Sequence, residues 1–152
     1  MIAVAAGPAR QARLLLPPNR SMLDAVAEAL APLGWPSATL QILGGPMARA
    51  VYTCSVLTPG GPNWINYGPK RDLGPCWLAA ASATFGQSPD GPALHCHAIL
   101  AAPDCSCQGG HLVPQDSILS DEPLIAHAIS AEAGLFHIVH DSGFNLLQPA
   151  PC

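Results

Sequence analysis

The chain has 152 residues, of which 49% are hydrophobic and only 11% are charged, and its formal net charge is −4 with six lysines and arginines in total. This length fits one domain with a substantial hydrophobic core, and the acidic balance argues against a conventional nucleic-acid-binding domain, which carries a basic patch and a high pI. Because charged residues usually make up about a quarter of a soluble domain, the low charge here favours an oligomer that buries apolar surface between subunits.

The sequence pattern predicts neither a signal peptide at the N-terminus nor a membrane span. No apolar run approaches the roughly 18 residues that a membrane span needs. In a signal peptide a positive charge precedes the apolar run. Here the first positive charge follows the short apolar run at the N-terminus. We therefore expect a cytoplasmic protein, in which the six cysteines are reduced thiols and not a disulfide framework. Their scattered positions match no zinc-finger spacing.

Proline and glycine divide the chain into three parts. Residues 1–13 are expected to form an irregular N-terminal arm, since Gly7-Pro8 opposes regular structure. A single domain is expected over 14–148, opening with a short strand at 14–16, and a C-terminal tail over 149–152.

The clearest element is a helix that begins at Ser21. Ser21 and Asp24 have the spacing of a capping box. Apolar residues then recur at positions i, i+3, i+4 and i+7 from Leu23 to Leu30, which predicts one buried face. Pro32 sets the end of the helix just before it.

Short strands and tight turns follow the helix. Alternating patterns predict strands over 38–43 and 48–57, joined as a hairpin at the turn Gly44-Gly45-Pro46. Further strands are predicted over 76–85, 94–101, 111–113, 124–133, 135–140 and 144–147. One early helix, about seven strands and no βαβ alternation together predict an α+β fold: a mainly antiparallel sheet with the helix packed on it.

A long segment rich in glycine and proline, 58–75, is predicted to be a loop. A loop of this length in a compact domain is either functional or mobile. Its two aromatic residues, Trp64 and Tyr67, could close over a pocket as a lid or could anchor the loop.

Most of the potential chemistry lies in 94–112, which holds three of the six histidines and three of the six cysteines. His95 and His97 are two residues apart, so on a strand they point to the same face. Cys96 then points to the opposite face. Cys105 and Cys107 sit near a turn and are expected to be too far from His97 to join it.

The register of the predicted hairpin decides where His111 points. A hairpin that turns midway between residues 104 and 105 pairs His111 with Ala98 and aims it away from His97. If Gly109-Gly110 absorbs one extra residue as a β-bulge, His111 lies opposite His97 instead. Cross-strand Cβ atoms are then about 5 Å apart, close enough for two imidazoles to share one metal ion.

Three converging imidazoles are typical of a divalent-metal site, with zinc the first candidate and a fourth position open to water or substrate. The alternative is that the three histidines are structural hydrogen-bonding groups. Asp104 and Asp116 flank the region and could act as a base or as a hydrogen-bonding partner of a ligand, or could be ordinary turn carboxylates. His127, His137 and His140 each share a strand face with apolar residues and are predicted to be structural. Because no nucleophile elbow, phosphate-binding loop or dinucleotide motif is present, catalytic residues are unassigned.

The motif His95-x-His97, followed by an apolar strand, a turn and Gly109-Gly110-His111-Leu112, resembles the signature of the plants-and-prokaryotes-conserved (PPC) domain family. The resemblance covers about 14–147. The places that they have in that family are occupied by the early helix, the strand end at 42–45, a strand of small residues at 76–85 and an apolar strand after 124.

The resemblance implies a compact α+β domain that assembles as a homotrimer, with the family's metal site at His95, His97 and His111. Lone prokaryotic members are often classed as candidate DNA-binding or regulatory proteins, because plant members join the domain to AT-hook segments that bind A·T-rich DNA. This chain lacks the Arg-Gly-Arg-Pro hook and is acidic, which weighs against direct DNA binding, and its turn at 103–106 lacks the usual glycine. Together with the histidine pattern, the resemblance implies a homotrimeric module that binds a divalent metal or small ligand, with a small metal-dependent hydrolase or lyase as the alternative.

Overall fold

The computed structural model describes residues 7–60, 65–131, 135–141 and 144–150. Within these ranges the chain has one α-helix, α1 (Met22–Leu30), extended by a single 3-10 turn at Ala31–Leu33. No helix in this part of the chain is long and apolar enough to cross a membrane. The strands are β1 (Ala9–Leu16), β2 (Ala38–Thr53), β3 (Ser55–Leu57), β4 (Ile65–Tyr67), β5 (Arg71–Ser88), β6 (Gly91–Ala101), β7 (Cys107–Leu112), β8 (Ile118–Leu119), β9 (Leu124–Ala131), β10 (Leu135–Asp141) and β11 (Phe144–Ala150).

The helix begins as its sequence predicts. Ser21 is the N-cap: its Oγ accepts a hydrogen bond from the backbone N–H of Asp24 at 3.0 Å and donates one to the Asp24 carboxylate at 2.7 Å. The apolar face, including Met22, Val26 and Leu30, is buried against the sheet. Gly34, with φ 62°, ends the 3-10 turn in the left-handed conformation that glycine adopts without strain.

All strands except the small β3–β4 pair form one nine-stranded sheet in the described chain. The pairings are antiparallel apart from one between β10 and β5. β2 pairs with β5 along one edge, and with β9, β8 and β7 along the other. Because β5 pairs with β6 and β6 with β7, the strands β2, β5, β6 and β7 close into a ring. This architecture confirms the predicted α+β class with a mainly antiparallel sheet.

The predicted hairpin at 44–46 is wrong. β2 runs straight through Gly44, Gly45 and Pro46 as one 16-residue strand. A Cβ at Gly44 would lie 2.9 Å from the carbonyl oxygen of Leu78 on β5, and one at Gly45 would lie 2.2 Å from the Leu124 side chain on β9. These glycines therefore permit close approach of neighbouring strands, a use of glycine that looks like turn chemistry when only the local sequence is read.

Two other segments are more ordered than the sequence predicts. Residues 9–13, expected in an irregular arm, belong to β1, whose full length pairs with β9 from Ala9↔Ala131 to Leu16↔Leu124. The predicted loop at 58–75 contains β4, which pairs with β3, and the first residues of β5. In both cases the hydrogen-bonding partner is a strand elsewhere in the chain, and the pairing satisfies backbone groups that a loop would leave to water.

The core fills the ring and the space between the sheet and α1. On β6 the side chains of Leu94, Cys96 and Leu100 point into this core, whereas His95 and His97 point to the outer face. The largest fully buried side chains are those of Tyr52, Leu16, Met22, Leu30, Leu40, Ile42, Met47, Leu78, Leu100, Leu112, Leu119 and Leu124.

Candidate metal centre

The hairpin of β6 and β7 brings His111 opposite His97. The ladder between them is regular from Ala101↔Cys107 to Cys96↔Leu112, so the bulge predicted at Gly109-Gly110 is wrong. The extra residue that this register needs lies in the turn instead.

The turn is a three-residue loop, 103–105. The backbone N–H of Cys105 donates to the carbonyl of Ala102 at 2.9 Å, and the N–H of Ala102 donates to the carbonyl of Ser106 at 2.9 Å. Cys105 has φ 64°, the left-handed conformation that closes three-residue hairpin loops. The Asp104 carboxylate accepts from the N–H of Ser106 at 2.9 Å and holds the loop in shape. This turn, and not the glycine pair, aims His111 towards His97.

The two glycines have a different task. β7 lies between β6 and the end of β2, and a Cβ at Gly109 would lie 2.2 Å from the carbonyl oxygen of Ala98. Gly110 has φ 151°, and a Cβ there would lie 2.5 Å from the carbonyl oxygen of Thr53. Glycine at both positions lets three backbones approach closely where the histidines converge.

The three histidines form one cluster. The Nε2 atoms of His95 and His97 are 2.9 Å apart. The ring centroid of His111 is 4.7 Å from that of His95 and 5.4 Å from that of His97, with the His111 ring nearly perpendicular to both. One nitrogen from each ring lies within 4.8 Å of the others. In the part of the chain that the structure describes, no other histidine, cysteine or carboxylate joins this group.

Burial favours the neutral form of two of these imidazoles, those of His95 and His111. The pKa of His111 is lowered to about 4, first by burial and then by the neighbouring His95 and His97, whose positive charge when protonated disfavours a second protonated ring. Burial also lowers the pKa of His95, with His97 as the second cause. At neutral pH the nitrogen lone pairs of His95 and His111 are therefore available, which is the form in which histidine binds metal.

The geometry fits a divalent ion. Zinc–nitrogen bonds of 2.0–2.1 Å in a tetrahedral site place the ligand atoms about 3.4 Å apart, a value between the 2.9 Å and 4.8 Å found in the cluster. Small side-chain movements would therefore complete the coordination. Among the residues that the structure describes, none forms a hydrogen bond with the buried Nδ1 of His111, and a buried polar atom without a partner is rare in folded proteins.

Tyr67 lies at the edge of the cluster. Its ring centroid is 4.9 Å from that of His111, and about half of the residue (49%) is exposed. Thr53, which pairs with His111 across β2 and β7, donates through its hydroxyl to the carbonyl of Gly68 at 2.7 Å and fastens the end of β4 beside the site. No local sequence signal predicts this role for Thr53, because its partner His111 is nearly 60 residues away in the chain. Trp64, the second candidate for a lid, lies outside the described residues.

The other candidates lie apart from the cluster. Cys96 is fully buried on the opposite face of β6. The Asp104 carboxylate serves the turn, and Asp116 forms an ion pair with Lys70 at 2.7 Å. His127 is exposed on β9 and faces a groove shared with Arg13. The described part of the structure does not include the side chains of His137 and His140 or any of Cys152. The five cysteines in the described part are free thiols.

No family model and no curated protein matches the sequence. Solved structures do match. A metal-containing protein from Archaeoglobus fulgidus superposes with a TM-score of 0.69 at 16% identity, covering 99% of this chain and 98% of the other. A candidate DNA-binding protein from Ralstonia eutropha JMP134 gives 0.67 at 14% identity, covering 90% and 89%.

A third match is a plant- and prokaryote-conserved (PPC) protein from Pyrococcus horikoshii, with a TM-score of 0.61 at 13% identity and 100% coverage of both chains. At these identities the matches speak to the fold alone. The chain has the PPC fold, as the His-x-His and Gly-Gly-His-Leu motifs predict.

Proposed function

We propose that the protein is a homotrimeric metal-binding module in which His95, His97 and His111 hold one divalent ion. Zinc is the first candidate for that ion. The observation that carries the proposal is the convergence of three imidazoles, with one nitrogen from each within 4.8 Å of the others. The lowered pKa values of His95 and His111 and the unpartnered Nδ1 of His111 support it. The fold shared with a metal-containing protein agrees with it.

A binding or regulatory role fits the site better than catalysis. Three nitrogen ligands leave one coordination position open, and zinc would lower the pKa of a water bound there towards about 7. A hydrolase or lyase also needs a general acid or base within reach of that water. Among the described residues no carboxylate reaches the cluster, because Asp104 and Asp116 are engaged elsewhere.

Metal analysis tests the site directly. The protein would be purified without chelators or a histidine tag, and its metal content measured by inductively coupled plasma mass spectrometry. We expect about one metal ion per chain. His97→Ala and His111→Ala are expected to lose it, whereas His127→Ala, an exposed histidine of β9, is expected to retain it. If the wild type holds no metal after growth in zinc-supplemented medium and binds none in a calorimetric titration, the proposal is wrong.

The outer face of the sheet supports self-association. Leu43 pairs with Ala80, which pairs with Ile99, so the three side chains form an apolar row across β2, β5 and β6. Leu43 is 43% exposed and Ile99 53%. Other large apolar side chains exposed on the described strands of this sheet are those of Leu15, Trp77 and Ile129. An exposed apolar surface of this kind is typical of an interface, and Ile99 lies two residues from His97.

Light scattering after size-exclusion chromatography tests the trimer. The wild type is expected at three times the chain mass, and Ile99→Asp or Leu43→Asp at the mass of one chain. Leu57→Asp is the matched control, because Leu57 is 73% exposed but lies on the separate β3–β4 pair. A wild type that elutes as a monomer at micromolar concentration contradicts the homotrimer and leaves the metal site to be judged by its own test.

DNA binding is a second candidate function, since two solved structures of this fold are described as candidate DNA-binding proteins. The charge opposes it: the net charge is −4, and Arg20 and Arg49 are already paired with Glu28 and Asp72. We expect no retention of A·T-rich duplex in a gel-shift assay at low salt. Retention that weakens steeply as salt rises would favour DNA binding instead.

A further inference from the structure

The ring of β2, β5, β6 and β7 has an open end where β2 finishes and β5 and β7 begin. A cavity of about 510 Å³ lies there, within the volume range of small-ligand sites. Its walls include Tyr52, Cys54, Arg71, Ser106, Cys107 and Gln108. Mouths of β-barrels are a frequent location for such sites, because the strand ends supply polar groups around an apolar interior.

The polar groups of this cavity are held in place. Tyr52 is 2% exposed, and its hydroxyl donates to the side-chain carbonyl of Gln108. The amide nitrogen of Gln108 donates to the hydroxyl of Ser106 at 3.3 Å. Cys54 contacts the carbonyl of Gly109 through its thiol at 3.5 Å. Because both the oxygen and the nitrogen of the Gln108 side-chain amide are hydrogen-bonded, these polar groups are held in position before any ligand binds.

The cavity also carries an uncompensated positive charge. Arg71 lies opposite Tyr52 in the β2–β5 ladder and is exposed. Two other cations of this region, Arg49 and Lys70, form ion pairs with Asp72 and Asp116. Arg71 forms none with any residue that the structure describes, and no carboxylate is among the residues that line the cavity. A site of this charge attracts anions.

We propose that this cavity binds a small organic carboxylate, with its charged group on Arg71 and its polar substituents on the Ser106–Gln108–Tyr52 network. Guanidinium and carboxylate are both planar and can form two parallel hydrogen bonds. A single arginine balances the one charge of a carboxylate, whereas it would leave a phosphate dianion half compensated. The site is distinct from the histidine cluster, because none of His95, His97 and His111 is among the residues that line the cavity.

An NMR titration tests the proposal. Amide spectra of the 15N-labelled protein would be recorded against acetate, pyruvate and inorganic phosphate at constant ionic strength, with sodium chloride as the reference. The carboxylates are expected to shift the amides of Arg71 and of Cys107 to Gly109 in a saturable way. Arg71→Gln is expected to raise the Kd about tenfold or more, the loss typical of one hydrogen bond to a charged group.

Arg13→Gln is the matched control, since Arg13 is also exposed and forms no ion pair with a described residue, but lies on β1. It is expected to leave the titration unchanged. Shifts that do not saturate with either carboxylate overturn the proposal, and so do shifts that survive in Arg71→Gln. Tighter binding of phosphate than of both carboxylates overturns the assignment of the ligand class. A failed metal analysis would leave each of these outcomes unaffected.

Discussion

Replacement of Cys105 by glycine should stabilise the protein. Cys105 has φ 64°, and the left-handed conformation costs a residue with a side chain about 1–2 kcal/mol. Glycine removes that cost but increases the conformational freedom of the unfolded chain, which offsets about 0.4–1 kcal/mol. The Cys105 side chain is exposed, so little packing is lost. The net gain should be roughly 0.5–1 kcal/mol, or about 1–4 °C in Tm for a chain of this size.

The assay is urea denaturation followed by circular dichroism, under reducing conditions, with a chelator present and at one protein concentration, because the stability of an oligomer depends on concentration. Cys107→Gly is the matched control. It makes the same change two residues away, at an exposed position of β7 where φ is not positive. There glycine should destabilise by about 0.5–1 kcal/mol. If both variants move the free energy of unfolding in the same direction, the turn does not have the geometry that sets the His97–His111 pairing.

Two further predictions concern β7. Gly109→Ala should lower the free energy of unfolding by about 3 kcal/mol or more in the same denaturation assay. The reason is that the added Cβ would lie 2.2 Å from a backbone oxygen of β6, which cannot move without the rest of its strand. A loss under about 1 kcal/mol would contradict this close approach of the two strands. Metal-free protein should lose stability as pH falls from 6.5 towards 4, since the unfolded chain protonates His111 in that window and the folded chain, with its pKa lowered to about 4, does not. Carboxylates titrate in part of the same range, so the measurement is the difference between wild type and His111→Gln, whose slope should be smaller.

The helix could be predicted because its signals are local. Ser21 and Asp24 lie within one turn, and the residues that end the helix follow directly. β2 could not be predicted as one strand, since Gly44-Gly45-Pro46 has the composition of a turn. Only the packing of β5 and of Leu124 from β9 shows that these positions need small residues. Long-range pairing here overrides a local preference, as is common in sheets.

The residues of the histidine site could be predicted from the sequence, but the turn that brings His111 to the other two could not. The spacing of His95 and His97 fixes their common face, and the fold confirms it. The register of His111 requires one residue more than a symmetric hairpin provides. The sequence favours the glycines as the place of that residue, because glycine tolerates a bulge, whereas in the structure Cys105 provides it in a conformation that cysteine seldom adopts. The ring that encloses the core could not be inferred, because β2 pairs with strands from almost every part of the chain.

Placement on strands has a consequence for metal selectivity. His95, His97 and His111 belong to adjacent strands of the ring, so their spacing is set by backbone ladders and not by a mobile loop. In such a site the rings can change orientation, but the described strands bring no oxygen ligand from a side chain to the cluster, whereas magnesium and calcium need six or more oxygen donors. Three imidazoles instead favour zinc, copper or nickel. Which of these ions occupies the site depends on the affinity of the site for each ion and on the availability of each ion in the cell. If the protein is loaded with zinc, millimolar magnesium should therefore leave the zinc in place, while copper(II) at a concentration equal to that of zinc should displace it. Release of zinc by magnesium would mean that oxygen ligands dominate the site, contrary to the geometry of the cluster.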